Sequence, residues 1–208
     1  MILSSHHAKS IWLRMETIEI RRMYPDEAAQ VNYVKSSAFQ SNPMFEVIYQ
    51  SCGEDLRKIL EGLYSNIHPD TFVAVHEGRV IGCIRAVICT GERHSGHSCS
   101  EVEYKYITNQ KIEELSIEQR WKWVKKACES HDLSVSHSHV GSIAVLPEFQ
   151  GKGIGTLLMK DYFARLDDVP SFLETFKESN ARYYVNRGYR LVATDFVLGL
   201  KGYWMKRD

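Results

Sequence analysis

The stretch from residue 141 to residue 158 constrains the fold of this chain more than any other part. It reads GSIAVLPEFQGKGIGTLL and joins a short apolar run to a glycine-rich turn and an amphipathic segment. Residues 142–146 have the β-branched and apolar character of a buried strand, and Pro147, which cannot donate to a ladder, should end it. From Ile154 onward apolar residues recur at helical spacing. The sequence therefore predicts a strand, a tight turn and a helix in immediate succession.

A helix that begins at a glycine turn is a candidate phosphate site. Its first N–H groups have no partner within the helix, and the helix dipole adds positive charge there. The P-loop string G-x-x-x-x-G-K-[ST] is absent from the chain. The dinucleotide fingerprint G-x-G-x-x-G matches at Gly151 and Gly153, but Thr156 stands in place of its third glycine. Glu174 follows about 20 residues later, which is the spacing expected for the acid that binds the ribose. Only 53 residues follow Gly155, which is too few to complete a doubly wound sheet.

A third phosphate loop fits better. The segment Gln150-x-x-Gly153-x-Gly155 resembles the Q/R-x-x-G-x-G/A loop of the GNAT N-acetyltransferases, and residues 173–189 resemble the strand and helix that follow it in that family. Four positions match the family pattern N-x-x-x-Y-x-x-x-G-F/Y: Asn180, Tyr184, Gly188 and Tyr189. Asn180 and Gly188 can also be explained as helix caps alone.

The resemblance implies an α/β fold in which a mixed, mostly antiparallel sheet carries helices on both faces. It also implies acetyl-CoA as cosubstrate and transfer of the acetyl group to a primary amine by direct attack in a ternary complex. The alternative is a non-catalytic acyl-CoA-binding sensor or interaction module on the same fold. The presence of Tyr184 weighs against a sensor, which needs no general acid.

By the same resemblance, the coenzyme is held by the strand, the loop and the following helix. The implied cofactor-binding residues are Ile143, Ala144, Val145, Gln150, Gly151, Lys152, Gly153, Ile154, Gly155, Thr156, Asn180 and Tyr184. The N–H of Ile143 would face the thioester oxygen as an oxyanion donor. The hydroxyl of Tyr184 would protonate the departing thiolate.

Two histidines are candidates for the base that activates the amine. His137 and His139 are two residues apart on the predicted strand, so they share one face. The string HSHVGSIAV resembles a histidine pair of the arylalkylamine acetyltransferases, with the register matching at His139. The alternative is a pair of polar residues on a half-exposed strand, and Glu101 and Glu103 are other candidates for the base.

No metal is expected. His94, His97 and Cys99 lie in a serine-rich segment without a second cluster at ligand spacing. The five cysteines lack a framework spacing, which predicts reduced thiols and a cytoplasmic protein. The formal net charge is zero, so no electrostatic argument favours nucleic acid or a membrane as partner. The sequence leaves a monomer and a homodimer open.

The predicted organisation is a single domain over residues 15–208, preceded by an extension over residues 1–14. Met1 and Met15 are both candidates for the native start. An insertion at about 90–135 is too long for a plain loop and is expected to lie over the acceptor side. Within it, Ser116 and Gln119 predict a capping box at a helix start. The predicted strands cover 17–21, 71–76, 80–89, 171–175, 189–194 and 199–206, and the predicted helical regions cover 25–38, 45–64 and 180–187.

Overall fold

The computed structural model describes residues 18–50, 52–90, 112–130, 135–166 and 168–208. Within these residues the strands are β1 (Ile18–Arg22), β2 (Thr71–His76), β3 (Arg79–Cys89), β4 (His137–Val145), β5 (Ser171–Thr175), β6 (Arg190–Val197) and β7 (Leu200–Arg207). The α-helices are α1 (Ala28–Phe39), α2 (Pro43–Tyr49), α3 (Leu56–Leu63), α4 (Ile117–Ser130), α5 (Ile154–Phe163) and α6 (Glu178–Val185). The predicted extension over 1–14 lies outside the described residues.

The strands form one sheet in the order β1-β2-β3-β4-β5-β7-β6. Every neighbouring pair is antiparallel except β4 and β5, which run parallel. The predicted α/β fold with a mostly antiparallel sheet is confirmed. The described strands do not form the doubly wound parallel sheet that a dinucleotide-binding module requires, so that alternative is wrong.

Two apolar clusters stabilise the sheet. The larger cluster joins α1 and α5 to the strands around β3, with Val34, Ile84 and Leu158 almost fully buried. The second cluster joins Ile48 of α2 and Val124 of α4 to β5 and β7 through Phe172 and Trp204. Helices α2 and α4 therefore cover the face of the sheet on which Phe172 lies.

The predicted helical region over 45–64 is two helices. Asn42 caps α2 by accepting a hydrogen bond from the N–H of Met44 at 3.0 Å, and Asp55 caps α3 by accepting one from the N–H of Arg57 at 2.9 Å. Gly53 lies between the helices with φ of +73°, a conformation that breaks a helix. The spacing of the apolar residues did not predict this interruption, because both helices bury apolar residues that follow the same helical spacing.

Two local predictions are confirmed. In the capping box of α4, the N–H of Ser116 donates to Gln119 Oε1 at 2.8 Å, and the N–H of Gln119 donates to Ser116 Oγ at 3.2 Å. The hairpin between β2 and β3 turns at Glu77 and Gly78, which have φ of 49° and 76°. Positive φ at both positions suits the right-handed twist of the flanking strands.

Helix α4 is anchored in the fold through Arg120, which is only 3% exposed. Its guanidinium donates to the carbonyls of Ile48 and Gln50, both at 2.9 Å, and to the carbonyl of Ile112 at 3.0 Å and 3.2 Å. The end of α2 leaves carbonyls without partners in the helix, and Arg120 satisfies them. This part of the predicted insertion is therefore integral to the second apolar cluster.

Replacing Arg120 with methionine should lower the free energy of unfolding by roughly 2–4 kcal/mol, because several buried carbonyls lose their donor. Urea denaturation followed by circular dichroism measures it. Arg182→Met is the matched control, since Arg182 pairs with Glu178 on the exposed surface of α6 and should contribute less than about 1 kcal/mol. Equal stability of Arg120→Met and the wild type would contradict the anchoring role.

Among the described residues, no helix combines the length and apolar character needed to cross a membrane.

Candidate active site

The sheet opens between β4 and β5. Only two residue pairs join these strands, Ser138 with Ser171 and His139 with Phe172, although β4 continues to Val145 and β5 to Thr175. Beyond those pairs the facing backbone groups of the two strands do not pair with each other. This gap in the ladder, with a strand edge on either side, is what we call the split.

A β-bulge sets which groups of β4 face the split. Arg85 pairs with Ser142 and Ala86 pairs with Val140, so Gly141 is the extra residue. The N–H of Leu146 donates to Ile81 on β3 at 2.9 Å. Because N–H groups alternate between the two edges of a strand, those of Ile143 and Val145 point toward the split. The N–H of Ile143, predicted as an oxyanion donor, therefore lies on the edge of β4 that faces the split.

The glycine turn follows β4 through a short 3-10 segment, Pro147–Phe149. Gly151 and Gly153 have φ of +72° and +84°, and Gly153 directly precedes the first residue of α5. These conformations turn the chain so that the first amides of α5 are free of intrahelical partners and available to an anion. The Gln150 side chain donates to the carbonyl of Val145 at 2.9 Å, so it braces the turn against the strand.

Helix α6 supports the turn from one side. A side chain at Gly155 would place its Cβ 2.9 Å from the hydroxyl oxygen of Tyr183, so only glycine fits without a shift. The guanidinium of Arg187 stacks on the Tyr183 ring at 3.3 Å from its centroid and donates to Thr156 Oγ1. Tyr183 therefore has a structural partner in the turn, which distinguishes it from Tyr184.

His139 and Glu174 meet at the narrow end of the split. The Nε2 atom of His139 lies 2.7 Å from Oε2 of Glu174, and both side chains are about one-fifth exposed, at 22% and 20%. A carboxylate only accepts, so Nε2 is the protonated nitrogen and the lone pair of a neutral ring is on Nδ1. The pair couples an imidazole to an acid in the place where the two strands separate.

His137 shares the face of His139, as predicted, with ring centroids 6.3 Å apart. It is fully buried, and its Nδ1 donates to the carbonyl of Val135 at 2.8 Å. Both rings contact Phe172 edge to face at 5.6 Å, which places them on the face covered by α2 and α4. The burial of His137 favours His139, which is partly exposed, as the base.

Tyr184 is buried beside Tyr183 and Tyr189, with ring centroids at 5.3 Å and 5.7 Å. Burial, then the neighbouring Tyr183 and the charge of Glu174, raise the pKa of Tyr184 well above its ordinary value. The hydroxyl consequently keeps its proton across the neutral range.

The remaining predicted residues have different surroundings. Asn180 lies in the first turn of α6, exposed, and is not the cap, because the helix begins at Glu178. Gly188 has φ of +85° just past the helix end, as a cap requires. Lys152 is exposed and extends over the ring of Phe149 at 5.1 Å. A last group lies outside the described residues: His94, His97, Cys99, Glu101 and Glu103.

Sequence reasoning missed the role of Glu174. It was interpreted only as the end of a strand, or as a ribose-binding acid in the rejected alternative. Its period-two spacing from Phe172 puts it on the face of His139, but this contact depends on how β5 pairs with β4. The register of two strands 35 residues apart cannot be derived from either strand alone.

Comparison with known proteins agrees with the fold. Residues 38–189 match the Acetyltransferase (GNAT) family. An apo mutant of agmatine N-acetyltransferase aligns with a TM-score of 0.63 at 17% identity, covering 91% of this chain and 98% of that chain. Drosophila melanogaster polyamine N-acetyltransferase aligns with a TM-score of 0.62, at the same identity and coverage.

PaiA N-acetyltransferase from Thermoplasma acidophilum, solved in complex with coenzyme A, aligns with a TM-score of 0.55 at 13% identity, covering 92% of this chain and 98% of that chain. No curated protein sequence matches this chain. The structural likenesses concern the fold, and the family match spans most of the split, the glycine turn and α6. The chain belongs to the GNAT acetyltransferase family.

Proposed function

We propose that this protein transfers an acetyl group from acetyl-CoA to a small primary amine. The observation that carries the proposal is the hydrogen bond between His139 and Glu174 at the narrow end of the split. A binding module would not need an imidazole held in one tautomer by a half-buried acid. The amine class is supported by the structural neighbours, which are named for agmatine and polyamines.

His139 is the proposed base. A primary amine has a pKa of about 10 and is mostly protonated at neutral pH, so it must lose a proton to attack a carbonyl. Nδ1 of His139 accepts that proton, directly or through water, while Nε2–H stays bonded to Glu174. The carboxylate then stabilises the imidazolium, as an acid that orients a catalytic histidine does in other enzymes.

Two further groups act on the thioester. The N–H of Ile143 points into the split and donates to the carbonyl oxygen as negative charge develops there. Acetyl-CoA supplies the acetyl group, and coenzyme A leaves as a thiolate when the C–S bond breaks. Tyr184 donates its proton to that sulfur and regains one from the attacking nitrogen, which loses its second proton as it becomes an amide nitrogen. The transfer ends with an amide, a thiol and a protonated His139 that returns its proton to water.

Thiol release from acetyl-CoA, measured with a panel of agmatine, polyamines, arylalkylamines and peptide N-termini, tests the proposal. We expect turnover with at least one small amine, with the product confirmed as an amide by mass spectrometry. Binding of coenzyme A without turnover on any amine would favour the sensor alternative. Absence of coenzyme A binding in calorimetry would overturn both.

The glycine turn gives a prediction about coenzyme affinity. Gly153→Val should weaken coenzyme A binding by roughly ten- to a hundredfold, because the side chain blocks approach of the pyrophosphate and misdirects an amide worth about 1.5–3 kcal/mol to a charged ligand. Isothermal titration calorimetry measures it.

Gly78→Val is the matched control, because Gly78 has a similar φ of +76° but lies in the β2–β3 hairpin. Both variants bear the same backbone strain, so a comparable fall in melting temperature is expected. Unchanged coenzyme A affinity in a folded Gly153→Val variant would contradict the assignment of the turn.

The predicted insertion at about 90–135 should govern the acceptor, and residues 91–111 are its first part. The end of β3 at Cys89 pairs with His137, whereas the proposed coenzyme contacts follow His139 in the chain. Replacing 91–111 with a glycine–serine linker and retaining α4 should change the ranking of amines while coenzyme A affinity stays within about threefold. A folded variant with the wild-type amine ranking would contradict it.

A further inference from the structure

The pairing of β3 with β4 brings together a thiol and two imidazoles that are far apart in sequence. Cys89 lies directly opposite His137, and His139 is two residues along the same face. The potential ligand atoms of the three residues all lie within 4.8 Å of one another. We propose that Cys89, His137 and His139 bind Zn²⁺, and that this ion inhibits the enzyme.

The donor set fits zinc. One thiolate and two imidazoles are the ligand types of zinc sites, and three protein ligands leave a fourth position for water. With zinc bonds of ~2.0–2.3 Å, the ligands of a tetrahedral ion lie about 3.3–3.8 Å apart. The cluster must therefore contract by roughly 1 Å, a change within reach of side-chain rotation. The thiol proton of Cys89 passes to water when the ion binds.

Both imidazoles already carry the outer hydrogen bonds of metal ligands. Nδ1 of His137 donates to the carbonyl of Val135 at 2.8 Å, which leaves the ring's lone pair on Nε2. Nε2 of His139 faces the Glu174 carboxylate at 2.7 Å, which leaves the lone pair on Nδ1. A histidine that donates its other N–H to a carbonyl or carboxylate is oriented and made a stronger ligand.

The site is screened from bulk water without being closed. His137 is fully buried, Cys89 and His139 are half-buried, and Phe172 packs against both histidine rings. A low local polarity strengthens the attraction between the cation and the thiolate. The partial exposure of His139 provides a route for the ion from the side of the split.

Inhibition is expected because proton transfer and zinc binding need the same lone pair of His139, and this step rests on the proposed function. Nδ1 of His139 is the atom that takes the proton of the amine, and the same atom would hold the ion. A histidine cannot do both at once. Zinc should therefore lower turnover without displacing coenzyme A, because none of the three ligands lies in the glycine turn.

Competition with a chromophoric zinc indicator, without acetyl-CoA or amine, tests the binding. The wild type should bind one Zn²⁺ per chain in the site, and Cys89→Ser should weaken that binding at least tenfold, because a hydroxyl rarely replaces a thiolate as a zinc ligand. Cys52→Ser is the control for general thiol binding and should leave the affinity unchanged. His137→Asn provides a second variant, and it should weaken binding as well.

Cobalt gives a spectroscopic readout of the same site. Co²⁺ added to the wild type should produce a near-ultraviolet band from sulfur-to-cobalt charge transfer, and the band should be lost in Cys89→Ser and kept in Cys52→Ser. Equal zinc affinity in Cys89→Ser and the wild type, or a cobalt spectrum without that band, would overturn the site.

Activity assays then test the inhibition. Cys89→Ser should keep wild-type turnover without metal and should need at least tenfold more zinc for half-inhibition. If the wild type binds zinc but is not inhibited by it, the inhibitory role is overturned and the binding site still stands. Because binding is measured without turnover, an inactive protein that binds zinc would refute the proposed function alone, and an active protein that does not bind zinc would refute the site alone.

Discussion

Replacing His139 with glutamine should lower kcat/KM for the amine by roughly a hundred- to ten-thousand-fold, the usual range for loss of a general base. The affinity for acetyl-CoA should stay within about threefold, because His139 lies at the end of the split away from the glycine turn. Steady-state kinetics and calorimetry measure the two quantities. The acid limb of the pH profile, which reports the protonation of the base, should disappear in the variant.

Glu174→Gln tests how the base is held. An amide in place of the carboxylate can donate to Nε2 and favour the wrong tautomer, so activity should fall while the ring remains present. His76→Gln is the control, since His76 lies on β2 at the far side of β3 and should leave kcat/KM unchanged. Full activity in His139→Gln would show that another group takes the proton.

Tyr184→Phe should lower kcat by roughly ten- to a thousandfold, because it removes the proposed proton donor and keeps the packing of the ring. The affinity for acetyl-CoA should change little, since the lost interaction matters mainly in the transition state. Burial raises the pKa of Tyr184, so its neutral form is favoured and the hydroxyl holds its proton as pH rises through about 10. Any alkaline limb due to this group should therefore lie above pH ~10 in the wild type and be absent in the variant.

Tyr183→Phe is the matched control for Tyr184→Phe. The Tyr183 hydroxyl lies against Gly155 in the glycine turn, so its removal should leave kcat near the wild-type value. A larger fall in kcat for Tyr183→Phe than for Tyr184→Phe would show that the neighbouring hydroxyl is the donor. These two variants separate the groups because the tyrosines are adjacent in sequence but have different surroundings.

The parts of the fold that sequence predicted are those with local causes. The glycine turn, the Ser116–Gln119 capping box and the Glu77–Gly78 hairpin each arise from the conformational preferences of a few adjacent residues. The sequence of strand, turn and helix after His137 likewise follows from periodicity and from one proline. The family resemblance depended on the same short segments, which explains why the fold class was predicted correctly.

The parts that sequence did not predict depend on register and on distant pairing. The approach of Glu174 to His139 and of Cys89 to His137 requires knowing which residues face each other across the sheet. The bulge at Gly141, which turns the N–H of Ile143 toward the split, has no signal beyond a single glycine in a strand. Arg120 was missed because a buried arginine in a polar helix resembles a solvent-facing one until its carbonyl partners are known.

The split has a consequence for how the protein releases what it binds. Two residue pairs connect β4 to β5, so an extended ligand arm that bonds to Ile143 and Val145 would add rungs that the ladder lacks. Hydrogen exchange at those two amides should slow sharply with coenzyme A, as though the sheet had been extended by one strand. Release of coenzyme A would then require these hydrogen bonds to break, and the rate at which they break would set an upper limit on turnover.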